Sequence, residues 1–319
     1  MPDISVILPN YNHVQYLQQR IESILNQTCQ NFELIIIDDN STDGSQDLLR
    51  MYASHPKISH LIYNEKNSGG PFGSWKRGLE LARGEYIWIA ESDDWADVQF
   101  LECTSKYLDE NKNIGIVYTN SNFVNRDGTI VNSWATTKNR MFRNDKWSND
   151  YTKNGVDELL ENLLVVMTIN NMSSTLIRKE FIPDLKILDG FRGAGDWIFC
   201  AYILLNSNVQ YIADTLNYYR THEGNVTKQN SKSGLLLVED MRVYTTILKE
   251  LKKRNIDTKE IENKILDRFL FKFGIAKKVD SVKKKIICKS MKDYSVKFYQ
   301  RFLWMLLKYR IKQLIFRGK

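Results

Sequence analysis

Carboxylates gather at the ends of apolar runs in this chain, and such clusters are candidates for chemistry. The run "YIWIAESDDWAD" (86–97) passes from apolar residues into Glu91, Ser92, Asp93, Asp94 and Asp97. Crowding like charges at the end of an apolar segment is unfavourable, through repulsion and lost hydration. Two explanations are open. The acids are solvated loop charges, or some of them hold a divalent cation. Hard oxygen ligands suit Mg²⁺ or Mn²⁺, which takes one or two carboxylates and completes its shell with substrate phosphates. A second run, "IIIDDNSTD" (35–43), ends in Asp38, Asp39 and Asp43. Asp43 and Ser41 read as helix caps. Asp39 is delivered by its strand to a place where a carboxylate can accept hydrogen bonds from a base or a ribose. Asp196, in "GAGDW", stands where it can cap the helix that "WIFCAYILL" begins.

The elements that position these residues alternate. "ISVILPN", "FELIIID", "ISHLIY" and "GEYIWIA" read as strands, and "VQYLQQRIESILNQ", "DGSQDLLRMYA" and "GSWKRGLELAR" as helices between them. Apolar residues at Leu17, Ile21, Ile24 and Leu25 show helical spacing. Alternation at this length indicates βαβ units and a mostly parallel, Rossmann-like α/β sheet covered on both faces. A helix is expected over roughly 97–111, then two strands joined by the "RDG" turn. Residues 133–155 read as polar and irregular, and 234–278 as wholly helical. Ligands of open α/β sheets bind beyond the carboxyl ends of the strands. "PNYN", "DDNSTD", "NEKNSGG" and "ESDD" all fall there. "NSGG" lacks the Lys-Ser/Thr ending of a P-loop, and no G-x-G-x-x-G follows the first strand, which argues against a dinucleotide dehydrogenase.

With 319 residues, 43% hydrophobic and 26% charged, the chain suits one large domain or two smaller ones, and neither disorder nor a collagen-like repeat. Cys29, Cys103, Cys200 and Cys288 are scattered, without zinc spacing or a disulfide framework, so a reducing cytoplasmic setting is expected. No signal peptide is read at the N-terminus, and no apolar stretch reaches the roughly 18–20 residues of a membrane span.

Charge is uneven. Residues 277–319 hold 14 Lys/Arg against 2 Asp/Glu, whereas residues 1–276 hold 31 against 36. A basic tail on a mildly acidic body points to an anionic partner. Nucleic acid is not expected, because the basic residues are confined to the tail and no recognised binding module is present. From about residue 295 a helix would put Lys297, Arg301, Lys308 and Lys312 on one face, and Phe298, Phe302, Met305, Leu306 and Tyr309 on another. That pattern suits an anionic membrane interface. The helical C-terminal third leaves a homodimer as the alternative use.

"VILPNYNHVQYLQQRIESILNQTCQNFELIIIDDNSTDGS", "NSGGPFGSWKRGLELARGEYIWIAESDDW", "DGFRGAGDWIF" and "YYRTHEGNVT" follow one another in the order of family 2 glycosyltransferases, which this chain resembles over roughly residues 3–227. The resemblance implies the A-type nucleotide-sugar fold and inverting, metal-dependent transfer of a hexosyl or N-acetylhexosaminyl group. The donor would be a nucleotide sugar, UDP-linked, and the acceptor a glycan or lipid-linked glycan at the inner face of a bacterial membrane. It implies a catalytic domain over 1–230, with a nucleotide half at about 1–100 and an acceptor half at about 101–230. A helical region over 231–319 follows, carrying the basic tail 279–319. Pro9, Tyr11, Asp39 and Asn67 would serve the nucleoside, and Asp93 the ribose or metal-bound water. Asp94 and His222 would be metal ligands, Arg220 would lie near the diphosphate, and Asp196 would be the general base. The chain departs from the family's pattern at Glu91, where Asp is commoner, and at Trp75-Lys76, where Arg-Asn is common. A nucleotidyltransferase and a non-catalytic scaffold of the same fold are the alternatives. "PNYNH" lacks the glycine-rich, Arg-containing loop expected of the first, and Asp93, Asp94 and Asp196 argue against the second.

Overall fold

Two of the apolar runs become strands that are buried along their whole length, β1 (Ile4–Asn10) and β2 (Phe32–Asp38). In the computed structural model, which describes residues 2–221, 234–275 and 279–317, they pair in parallel with Asn10 opposite Asp38, so their polar ends come out side by side. β3 (Ile58–Tyr63) adds in parallel to β2, and β4 (Tyr86–Ile89) to β1. The intervening helices are α1 (Val14–Leu25), α2 (Ser45–Tyr52) and α3 (Pro71–Leu81). Leu8, Leu17, Ile21, Leu34, Ile36, Trp88 and Phe100 belong to one buried cluster. This is the βαβ pattern that the alternation implies.

Beyond β4 the sheet is mixed. After the two-residue β5 (Trp95–Ala96) and α4 (Phe100–Glu110), β6 (Ile114–Val124) and β7 (Ile130–Ser133) form the hairpin expected around the "RDG" turn. β9 (Thr175–Arg178) runs antiparallel between β4 and β6, and the long β10 (Asn208–Arg220) lies parallel to β6. The strand order is β3-β2-β1-β4-β9-β6-β10-β5, with β7 on β6 and β8 (Tyr151–Asn154) on β10. The stretch 133–155 is not irregular, as its polarity suggested. It holds α5 (Trp134–Phe142), capped by Ser133 Oγ accepting from the Thr136 amide at 3.2 Å, and β8. The polar residues misled because one of them, Lys138, is buried among Tyr118, Trp147 and Tyr211, 5.1–5.6 Å from their rings. α6 (Gly155–Glu158) and α7 (Gly195–Leu204) complete the described helices of this part.

The chain divides into two compact units, Met1–Leu159 with Thr168–Glu223, and Leu160–Met167 with Gly224–Lys319. In the second, the stretch 234–278, expected to be wholly helical, holds two helices among its described residues, α8 (Leu235–Lys253) and α9 (Lys259–Ile275). Asn255 stands between them at φ +58°, a left-handed conformation that Asn tolerates and that stops a helix. Asp280 Oδ1 accepts from the Lys283 amide at 2.8 Å to start α10 (Ser281–Tyr294), and α11 (Val296–Arg317) follows.

The faces of α11 differ from the expected ones. Phe298 and Phe302 are 0% and 2% exposed, and Phe302 packs edge-on against Phe269 and Phe273. Arg301 bonds Glu262 and Asn263. The exposed apolar residues of α11 are Val296, Leu303, Trp304, Leu307 and Ile311. A helix with apolar residues on two sides gives no sign, by spacing alone, of which side its neighbours cover. No helix among the described residues is long and apolar enough to cross a membrane.

Candidate functional site

The strand ends are tied to one another by side chains. Asn10 Nδ2 donates to Asp38 Oδ2 at 2.8 Å, and Asp38 Oδ1 accepts from the Ser41 amide and from Gln46. Asp38 is therefore a structural clamp of the β2 loop. Asp43 accepts from the amides of Val14 and Ser45, the first residues of α1 and α2, which makes it a helix-start acceptor as its position suggested. Asp39 is 4% exposed, and its Oδ2 receives the amide and hydroxyl of Ser68 at 2.9 and 2.8 Å while Oδ1 receives Asn64 at 2.7 Å. Asn67 donates to the Asp39 carbonyl at 3.2 Å and accepts from the Gly69 amide at 2.7 Å. So the "NSGG" turn is fastened to the end of β2, with Gly69 at φ +83°. Pro9 is buried in β1, and Tyr11, just beyond it, is 46% exposed.

The acidic segment leaves β4 through Ala90, whose amide still pairs with Ile7. Ser173 Oγ accepts from the Glu91 amide at 3.1 Å, and Trp75 Nε1 donates to Glu91 Oε1 at 2.9 Å. His13 bonds Ser92 at 2.8 Å. Asp94 is 2% exposed, accepting the Arg220 amide at 3.0 Å on Oδ1 and Asn171 Nδ2 at 2.9 Å on Oδ2. Burial and the charge of Asp93 push the Asp94 carboxyl up to about 7. Burial pushes Glu91 up to about 8, with Asp93 and Asp94 adding to it against the bond from Trp75.

Arg220 closes the segment from β10. Its Nε donates to the Asp93 carbonyl at 3.0 Å, Nη1 to the carbonyls of Asn125 and Arg126, and Nη2 to Gln19. The guanidinium lies 4.5 and 4.6 Å from the rings of Tyr16 and Trp95. It positions the acidic segment and the β6–β7 turn in this conformation, and it also lines the adjoining cleft. Beside it opens a cleft of about 790 Å³ whose lining includes Gln15, Gln19, Trp95 and Arg126.

Asp196 stands in the first turn of α7, and its Oδ1 accepts from the Trp197 amide at 2.8 Å. The Tyr219 hydroxyl is held well above its usual range by burial and then by Asp94, Asp93, Asp196 and Glu91, in that order. The charges of Asp94, Asp93 and Asp196 thus all act on Tyr219, while Asp39 and Asn67 lie at the end of β2, two strands from β4. His222 lies outside the described residues.

Two participants were missed in the sequence. Tyr219 sits one residue before Arg220 in the motif "YYRTH". Arg20 lies on the buried stripe of α1 with Tyr16, Leu17, Ile21 and Ile24, an out-of-place cation that could have been noticed. Burial lowers its guanidinium to about 10, against the charges of Asp94, Glu91 and Asp93, which raise it. Among the described residues no three His, Cys, Asp or Glu side chains converge closely enough to hold a metal by themselves. The donors present are hard carboxylate oxygens, and they fit a Mg²⁺ or Mn²⁺ ion held by the protein on one side and by phosphates on the other.

The chain is 28% identical over 230 residues to the glycosyltransferase GlyG of Streptococcus pneumoniae, a match covering 70% of this chain and 73% of that one. It is 31% identical over 148 residues to the putative teichuronic acid biosynthesis glycosyltransferase TuaG of Bacillus subtilis, covering 46% of this chain and 58% of that one. In structure it is similar to S. aureus TarS residues 1–349 in complex with UDP-GlcNAc, with TM-score 0.66, 18% identity, and coverage of 92% of this chain and 80% of that chain. The mannosyltransferase PcManGT of Pyrobaculum calidifontis, in complex with GDP-Man and Mn²⁺, gives TM-score 0.54 at 16% identity, covering 98% of this chain and 87% of that one. These two likenesses are of fold, mixed α/β with a helical C-terminal region. The family model described as Glycosyl transferase family 2 matches residues 5–175, more than half of the sequence, and the chain belongs to that family.

Proposed function

We propose that this chain is an inverting, divalent-cation-dependent glycosyltransferase of bacterial surface-polysaccharide assembly. It moves a hexosyl or N-acetylhexosaminyl group from a UDP-sugar to a hydroxyl of a glycan or lipid-linked glycan. The observation that carries the reading is Asp94, buried beyond the end of β4, where it accepts the Arg220 amide at 3.0 Å and Asn171 at 2.9 Å beside a cleft lined by Arg220. Relatives named for glycosyl transfer and teichuronic acid biosynthesis, and neighbours holding UDP-GlcNAc or GDP-Man with Mn²⁺, support the donor class and the setting.

A single displacement with inversion needs one base. Asp196 takes the acceptor's hydroxyl proton as the acceptor oxygen bonds the anomeric carbon. The carbon–oxygen bond to the nucleotide diphosphate breaks, and the diphosphate leaves with the electron pair. The Trp197 amide holds one Asp196 oxygen in place. Asp94, with His222 as its partner from the late motif, would hold the cation, and Asp93 would meet the ribose or metal-bound water. When bound, the cation offsets charge on the departing diphosphate. Tyr11 lies against the base, while Pro9, Asp39 and Asn67 shape the nucleoside pocket. The nucleotide half is about 1–100 and the acceptor half about 101–230. Arg220 positions the acidic segment and, lining the cleft, would lie near the diphosphate.

The acceptor is met at an anionic membrane face. Support comes from α11, whose exposed Leu303, Trp304, Leu307 and Ile311 sit in a segment without any acidic residue. Isothermal titration with UDP, with and without Mn²⁺, tests the donor reading. We expect Mn²⁺ to strengthen UDP binding at least tenfold in the intact chain, and Asp94→Asn to abolish that gain. UDP binding indifferent to both Mn²⁺ and Asp94 would refute it.

A further inference from the structure

Arg20 raises a question that the transfer chemistry does not answer. It is 0% exposed, and none of its three guanidinium nitrogens has a hydrogen-bond partner among the described residues. Burying a lone cation carries a large desolvation penalty. The guanidinium lies 4.7 Å from the ring of Trp88, which is fixed by its bond to the Ser173 carbonyl at 2.8 Å and by stacking on Phe100. Trp88 stands in β4, three residues before Glu91. The charges that act on Arg20 are those of Asp94, Glu91 and Asp93. An apolar side chain would satisfy this position of α1 better unless the acids require a cation there.

We infer that Arg20 is a built-in countercharge for the acidic segment: it holds Glu91, Asp93 and Asp94 together before a divalent cation and nucleotide arrive, and it moderates the affinity with which that cation binds. The inference rests on the cation reading above and makes Arg20 a positioning residue. Its reach is through the carboxylates, since Arg20 is buried and touches no solvent. A guanidinium fixed near the segment attracts the acids when the site is bare and repels the incoming ion, so the two effects have opposite signs.

The test is a Mn²⁺ titration of the intact chain in the presence of UDP, followed by the electron paramagnetic resonance of free Mn²⁺. Wild type, Arg20→Gln and Arg20→Lys are compared, with thermal unfolding of each in EDTA and in Mn²⁺. We expect Arg20→Gln to bind Mn²⁺ roughly three- to tenfold more tightly. It should melt lower than wild type in EDTA and gain more from Mn²⁺, while Arg20→Lys stays near wild type. A purely structural Arg20 would lower the melting temperature and leave Mn²⁺ affinity unchanged, and that result overturns the inference. Should Arg20→Gln fail to fold in EDTA, the pair Arg20→Gln with Asp94→Asn removes both charges. Recovery of folding in the pair supports the inference, and an equally unfolded pair overturns it. Absence of Mn²⁺ binding by wild type overturns the cation reading and this inference with it. Normal wild-type binding with an unaltered Arg20→Gln overturns this inference alone.

Discussion

At the scale of residues, the two departures from the family's pattern answer each other. Trp75, 2% exposed, donates its indole N–H to Glu91, whose longer side chain reaches it. A buried donor left unpaired would cost about 1–3 kcal/mol, so the substitutions make sense together. Glu33 shows the same economy away from the site. It is 3% exposed, and it accepts from Ser5 Oγ at 2.7 Å and from Arg83 through the amide at 2.9 Å, Nε at 3.0 Å and Nη2 at 2.7 Å. Burial raises its carboxyl, but the bonds from Arg83 and Ser5 outweigh burial and leave it lowered to about 2. A carboxyl lowered on folding contributes stability above its unfolded value, and the contribution is lost as pH falls through the folded one. Wild type should therefore lose on the order of 3 kcal/mol between about pH 5 and pH 2 through this group. Urea unfolding across that range checks it. Glu33→Gln should be less stable at neutral pH and flatter in acid, and parallel curves would contradict the assignment.

At the scale of elements, the nucleotide-side strands were legible because a parallel strand covered on both faces is a continuous apolar run. The acids at Asp39, Asp93 and Asp94 were legible for the complementary reason, that polarity resumes where the sheet ends. β9 was not legible, because periodicity says nothing of which distant strands "TLIR" will lie between. α5 was hidden by polar residues, one of which an aromatic cage buries. Arg20 was overlooked within an otherwise apolar stripe. α11 is a helix as expected, but the apolar face expected to be free, with Phe298 and Phe302, is the packed one, because a second set of apolar residues lies on the exposed side. The corrected face makes its own prediction. Leu303→Glu with Leu307→Glu should cut co-sedimentation with anionic liposomes severalfold and leave binding of UDP with Mn²⁺ intact. Phe298→Glu, by contrast, should lower the melting temperature of the whole chain. Equal liposome binding by wild type and the Leu303/Leu307 variant would contradict membrane contact through this face.

At the scale of the whole molecule, the first unit contains the family match over residues 5–175 except for Leu160–Met167 and, beyond it, Asp196, Tyr219 and Arg220. The late residues come from α7 and β10, elements distant in sequence from β4, and the Arg220 amide of β10 reaches Asp94 at 3.0 Å. The second unit is helical, and it carries the basic excess of residues 277–319. One chain thus combines a nucleotide-sugar fold with a basic helical region. The account turns on Asp196 as the base. The direct measurement is UDP-sugar binding and sugar transfer by Asp196→Asn beside wild type, with Mn²⁺ present. The account predicts donor affinity within about threefold of wild type and transfer lowered at least a hundredfold, the range of a lost general base. Near-normal transfer by Asp196→Asn would contradict it.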